Sequence, residues 1–109
     1  MNEKRVRVVI RGGVQGVGFR ASCQREAVAA GVAGWVCNQW DGSVEALFAG
    51  PEEAVDRMIR WCHVGPRWAD VESVELYPIA SGEQVASGEQ VAGGEQIAGD
   101  EPLAGFRIR

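Results

Sequence analysis

The hydrophobic period of this chain changes abruptly across one short glycine-rich stretch, and that change constrains the fold more than any other feature. Upstream, Arg5-Val-Arg-Val-Val-Ile-Arg11 alternates Val6, Val8 and Ile10 with Arg7 and Val9. That is the period of two expected of a strand. Downstream, Phe19, Cys23, Ala27 and Ala30 recur at helical spacing among good helix formers, and Gly31 provides the stop. Between them Gly12-Gly-Val-Gln-Gly-Val-Gly18 reads as the turn that joins strand to helix.

The rest of the chain extends this pattern. Val32 to Asn38 and Ser43 to Ala49 read as strands around a turn containing Asp41-Gly42. A second helix is expected with Pro51 in its first turn and Glu52 and Glu53 beside its positive end. Its buried stripe is Val55, Met58, Ile59 and Cys62, with Arg57 and Arg60 left to solvent. Val71 to Tyr77 and Gly105 to Arg109 supply the last two strands. In the final strand Phe106 and Ile108 are expected inward, with Arg107 and Arg109 outward. The order βαββαβ predicts an α+β, ferredoxin-like sandwich: a four- or five-stranded antiparallel sheet with two helices on one face.

A repeat interrupts the pattern before the last strand. From Ile79 the chain reads Ile-Ala-Ser-Gly-Glu-Gln, Val-Ala-Ser-Gly-Glu-Gln, Val-Ala-Gly-Gly-Glu-Gln and Ile-Ala-Gly-Asp-Glu-Pro. The period suits a hexapeptide β-helix, but a few short units cannot stack a core, and the composition favours a flexible loop. The expectation is one domain over residues 1–109 with an inserted repeat at about 80–104. Residues 81–104 hold five acidic and no basic side chains, so this one segment accounts for the acidity behind the net charge of −4.

Composition excludes several function classes. Fifteen acidic side chains outnumber eleven basic ones, all arginine except Lys4, which argues against binding nucleic acid through overall charge. The longest uncharged apolar stretch, Ala27 to Cys37, is broken by Gly31 and Gly34 and falls short of the ~20 residues of a membrane helix. The N-terminal residues lack the apolar run of a secretory signal. Cys23, Cys37 and Cys62 are odd in number and widely spaced, neither a disulfide framework nor a zinc pattern. A reduced cytoplasm and a monomer are expected, with no nucleic-acid or membrane partner.

Chemistry concentrates in two stretches. In Gly13-Val-Gln-Gly-Val-Gly-Phe-Arg20 the glycines allow main-chain N–H groups to approach a ligand closely. The following helix aims its positive end at the same space, and Arg20 adds a forked cation matched to phosphate oxygens. A plain β–α turn with Arg20 exposed is the alternative from these residues alone. In the second stretch, Gly34-Trp-Val-Cys-Asn-Gln-Trp-Asp-Gly-Ser-Val-Glu45, Asn38 ends a strand. It is either a functional amide or one that caps the turn.

Together the two stretches resemble the acylphosphatase family. Its signatures look like Val-Gln-Gly-Val-x-Phe-Arg and Gly-x-Val-x-Asn-x-x-Asp-Gly-x-Val-Glu, matched here by Val14 to Arg20 and Gly34 to Glu45. Gly65 to Glu72 and the terminal Phe106-Arg-Ile108 are similar to the family as well. The resemblance implies hydrolysis of a carboxyl–phosphate anhydride in a small acyl phosphate, without metal or organic cofactor. It implies that Arg20 binds the phosphoryl group with the backbone amides of Gln15, Gly16, Val17, Gly18 and Phe19, and that Asn38 orients the attacking water. It also extends to acylphosphatase-like domains of hydrogenase-maturation carbamoyltransferases; a stand-alone hydrolase is the preferred reading. A non-catalytic phosphate-binding or regulatory module on the same fold is the alternative.

Other candidates read as structural. His63 follows Cys62 at the end of the second helix, where a cation stabilises the helix terminus. Cys23 and Cys62 read as core, and Cys37 should face away from Asn38. The four tryptophans, Trp35, Trp40, Trp61 and Trp68, are expected to pack. Arg11 either adds positive potential near the glycine-rich loop or is solvated.

Overall fold

The alternating strand β1 (Glu3–Gly13) pairs on both edges, and its inward set Val6, Val8 and Ile10 is buried. The computed structural model describes residues 2–80 and 105–109. β1 leads through the glycine-rich loop into α1 (Phe19–Ala30), followed by β2 (Ala33–Asn38), β3 (Val44–Pro51), α2 (Glu52–Cys62), β4 (Asp70–Ile79) and β5 (Phe106–Ile108). The five-stranded sheet has the order β4-β1-β3-β2-β5. Each helical connection therefore passes over one strand, α1 over β3 and α2 over β1, which is the ferredoxin-like arrangement.

The core lies between the sheet and the helices. Val6, Val8 and Ile10 of β1 and Val44, Ala46 and Phe48 of β3 meet Phe19, Cys23 and Ala27 of α1 and Val55, Met58, Ile59 and Cys62 of α2 in one buried cluster. The α2 stripe is the one expected from its spacing. α1 ends where expected, with Gly31 in the left-handed region at φ 77°. Gly34 in β2 is required by close approach: a Cβ there would sit 1.8 Å from the Leu47 carbonyl oxygen.

Four details differ from the sequence expectation. The sheet is mixed, because β5 runs parallel to β2 with Gly34 opposite Phe106 and Val36 opposite Ile108, while every other pairing is antiparallel. β4 ends at Ile79, level with Arg5, Ala49 and Ala33. A strand entering at that end of the sheet must run the same way as β2. Pro51 is the N-cap of α2 rather than part of its first turn, since it is still paired with Glu3 in the sheet. Ile108 lies 40% exposed, whereas Phe106 is buried against Phe48 with ring centroids 5.9 Å apart. Trp35 is buried and Trp61 packs on Phe19, but Trp40 and Trp68 lie in turns and are exposed.

The inserted repeat at about 80–104 lies outside the described residues. Among those described, no helix is long and apolar enough to cross a membrane.

Candidate active site

The loop between β1 and α1 is pinned at both ends by buried side chains. Val14 and Phe19 are almost wholly buried, and the Phe19 ring lies 5.1 Å from that of Trp61. Between these anchors Gly16 and Gly18 take φ of 79° and 80°, a left-handed conformation that a side chain would strain. The first helical hydrogen bond runs from Ser22 N–H to the Gly18 carbonyl at 3.0 Å. Among the described residues, no main-chain acceptor takes the N–H of Gln15, Gly16, Val17, Gly18 or Phe19. The loop thus presents unsatisfied donors next to the positive end of α1, a disposition suited to an anion.

Arg20 is half-buried at the start of α1. Its Nη1 donates to the backbone oxygen of Arg109 at 3.5 Å, and no Asp or Glu side chain pairs with it among the described residues. Arg11 has a different fate. Its Nη1 lies 2.9 Å from Asp41 and its Nε 3.0 Å from Glu75. These contacts raise the Arg11 pKa above its ordinary value, and they help hold the two carboxyls below theirs. Arg11 alternates with Ile10 and so projects from the sheet face opposite the helices. It is neither a source of free positive potential at the loop nor simply solvated.

Asn38, the last residue of β2, accepts or donates no side-chain hydrogen bond among the described residues. The turn that follows is capped instead by Asp41, whose Oδ1 accepts from Ser43 N–H at 3.0 Å and from Ser43 Oγ at 2.6 Å. The turn-capping role considered for Asn38 therefore belongs to Asp41, and the Asn38 carboxamide is left available.

Arg20, Asn38, Gly16 and Gly18 line one cavity of about 230 Å³, with Val14, Phe19, Ala21 and Ile108 completing its wall. Ile108 was expected in the core; the helix layer gives way to this cavity at its position. A second feature escaped the sequence reading altogether. The Gln15 side chain donates from Nε2 to the carbonyls of Gln39 at 2.8 Å and Ser43 at 2.9 Å, joining the loop to the β2–β3 turn. Nothing local to Gln15 signals this contact, since both acceptors lie far along the chain.

The remaining polar candidates stand apart from the cavity. His63 Nδ1 is 3.0 Å from the Ile59 carbonyl oxygen at the end of α2. Burial raises the pKa of Cys23 and Cys62, and Cys37 is half-buried with its pKa also raised mainly by desolvation. No group of three or more His, Cys, Asp or Glu side chains forms a metal-binding cluster among the described residues.

The family model for acylphosphatase matches residues 6–88, which span β1 to β4 and with them the loop, Arg20 and Asn38. This chain belongs to the acylphosphatase family. An acylphosphatase of Nitrobacter hamburgensis is 57% identical over 77 residues, covering 71% of this chain and 78% of that relative. The acylphosphatase structure from Coxiella burnetii superposes with a TM-score of 0.77 at 29% identity, covering 99% of this chain and 94% of that one. The acylphosphatase from Bacillus subtilis gives 0.74, also at 29% identity, covering 97% and 98%. Among the residues lining the cavity, Arg20 is the one cation and Asn38 the one amide side chain.

Proposed function

We propose that this acylphosphatase carries out its hydrolysis in the cavity between the glycine-rich loop and the end of β2, with Arg20 and Asn38 as the catalytic side chains. The phosphoryl group of a small acyl phosphate sits against the N–H groups of Gln15, Gly16, Val17, Gly18 and Phe19, and the Arg20 guanidinium spans two of its oxygens. Asn38 holds a water in line with the bond to the acyl oxygen. The water oxygen bonds to phosphorus, the bond from phosphorus to the acyl oxygen breaks, and a carboxylate leaves with the electron pair. The water's protons pass to the phosphate product and to solvent.

One observation carries this reading: loop residues with unsatisfied amides, a guanidinium that no Asp or Glu engages and an unbonded carboxamide line one small cavity among the described residues. The reaction suits such a site. Its leaving group is a stabilised carboxylate, so positioning and charge stabilisation matter more than a strong acid or base. Preorganised donors of this kind stabilise the equatorial oxygens, at roughly 1.5–3 kcal/mol for each charge-assisted bond. The Asn38 amide does not titrate near neutrality; it orients water without taking its proton.

The same reading takes the protein as a cytoplasmic monomer; three free cysteines without a disulfide suit a reduced compartment. It takes residues 1–109 as one domain in which the repeat is an insertion. The deciding experiment measures acetyl phosphate hydrolysis by the wild type, Arg20→Gln and Asn38→Ala. Both variants should keep the wild-type fold by circular dichroism and lose at least about a hundredfold in kcat/KM, on the scale of removing one preorganised donor. Loss of inorganic phosphate binding is expected for Arg20→Gln only. Phosphate binding by a wild type that does not turn over acetyl phosphate would instead identify a binding module.

A further inference from the structure

We propose that Gln15 is a positioning residue whose side chain sets the distance between the phosphate loop and Asn38. This inference rests on the reading of Asn38 as the residue that holds the attacking water. The two halves of the cavity come from separate parts of the chain: loop and Arg20 from the β1–α1 segment, Asn38 from the end of β2. The β1–β3 ladder stops at Ile10 opposite Val44, below the loop. Beyond that point Arg11 at the end of β1 reaches Asp41 of the turn on the sheet face opposite the helices. The hydrogen bonds from the loop itself to the turn, among the described residues, are those from Gln15 Nε2 to the Gln39 and Ser43 carbonyls, at 2.8 and 2.9 Å.

The acceptors give this contact its leverage. Gln39 directly follows Asn38, and Gln39 and Ser43 close the turn through Gln39 N–H to the Ser43 carbonyl at 2.8 Å. The Gln39 carbonyl also accepts from Gly42 N–H at 3.2 Å. Each carbonyl therefore serves one main-chain donor and one hydrogen of the Gln15 amide, so both hydrogens of that amide are used. The orientation of the amide is determined, because the reverse one would set its oxygen against two carbonyl oxygens. Ser43 is buried, so the receiving end of the clamp is itself fixed.

The consequence for the reaction is selective. Phosphate is gripped by loop amides and Arg20, all on the β1–α1 segment and pinned by Val14 and Phe19. Water placement depends on Asn38, across the clamp. Releasing the clamp should leave the grip intact and misplace the water, and small misplacements of a reacting group cost up to about a hundredfold in rate.

The test uses the intact protein carrying Gln15→Leu, Gln15→Met and Gln15→Glu, each with and without Asn38→Ala. The first two remove the donors at similar length, and the third turns an acceptor toward two carbonyls. Expected are kcat losses of about ten- to a hundredfold for Leu and Met and a larger loss for Glu. The inhibition constant of inorganic phosphate should change less than about threefold in Leu and Met. In the Asn38→Ala background the Gln15 variants should cost nothing further, because the water they would misplace is no longer held. Wild-type kcat in Leu and Met, losses that multiply in the double variants, or a phosphate constant rising in step with the lost kcat would each overturn the proposal. So would failure of both Leu and Met variants to fold, which would make Gln15 a structural residue. An Asn38→Ala enzyme that keeps full activity would refute the underlying site assignment instead, and is read separately.

Discussion

Arg11 and Arg20 carry the same charge on either side of the same loop, and their surroundings give them different work. Asp41 and Glu75 occupy the Arg11 guanidinium on the sheet face opposite the helices. Arg20, which no Asp or Glu side chain engages among the described residues, lines the cavity and is the cation that the proposed mechanism uses. The mechanism proposed here uses no group that ionises near neutrality. The carboxyls of Asp41 and Glu75 are held below their ordinary range, first by a Ser43 hydrogen bond at Asp41 and by Arg11 at Glu75. The expected result is a kcat/KM for acetyl phosphate that stays level from about pH 5.5 to 8, with no limb near ~6.5, the ordinary value for histidine. His63→Ala should leave that profile unchanged, because the ring caps α2 through the Ile59 carbonyl and does not line the cavity. A limb in that range abolished by His63→Ala would contradict the mechanism. Arg20 and Asn38 could be singled out from the sequence because each belongs to a short motif. The role of the Gln15 side chain could not, because its partners are supplied by a turn that only the folded chain brings near.

Among the elements, legibility followed periodicity. α2 carries a full apolar stripe of Val55, Met58, Ile59 and Cys62, so its buried face was readable in advance. β5 spans only Phe106–Ile108, too short for alternation to distinguish a core position from a cavity wall. Its parallel direction was not readable from its own residues either, because the end of the sheet at which the chain re-enters decides it. What fastens β5 is equally a matter of tertiary contact. Phe106 stacks on Phe48, its carbonyl accepts from Gln24 Nε2 at 3.0 Å, and Gly34 N–H donates to the Gly105 carbonyl at 3.0 Å. The ring is the only part of this attachment that fills core volume. Phe106→Ala is expected to destabilise the protein by about 3–5 kcal/mol, the range for deleting a buried aromatic side chain. Urea denaturation followed by tryptophan fluorescence would measure it. A loss below about 1 kcal/mol would mean that the strand is held mainly by its backbone hydrogen bonds.

At the scale of the whole molecule, the core contains two free thiols on different helices, Cys23 on α1 and Cys62 on α2, both fully buried in the cluster against the sheet. Burial opposes ionisation, so the Cys62 pKa is pushed up to about 12, and that of Cys23 rises further with Cys62 nearby. In the unfolded chain both would titrate near ~8.5. A folded pKa raised above the unfolded one makes the folded state bind more protons throughout the window between them. Stability is then intact below about pH 8.5 and falls as pH rises toward 12, by up to about 1.4 kcal/mol per pH unit for each thiol. The urea midpoint, measured under reducing conditions, should therefore decline steadily from pH 9 to 11. Cys62→Ala should start lower at pH 7, because it opens a cavity, yet decline less steeply, because one titrating thiol is gone. Parallel slopes for the two proteins would assign the alkaline loss to other groups. If the difference in slope is found, alkaline inactivation of this acylphosphatase is a failure of its helix–sheet core, and kcat measured on the fraction still folded should remain close to its neutral value.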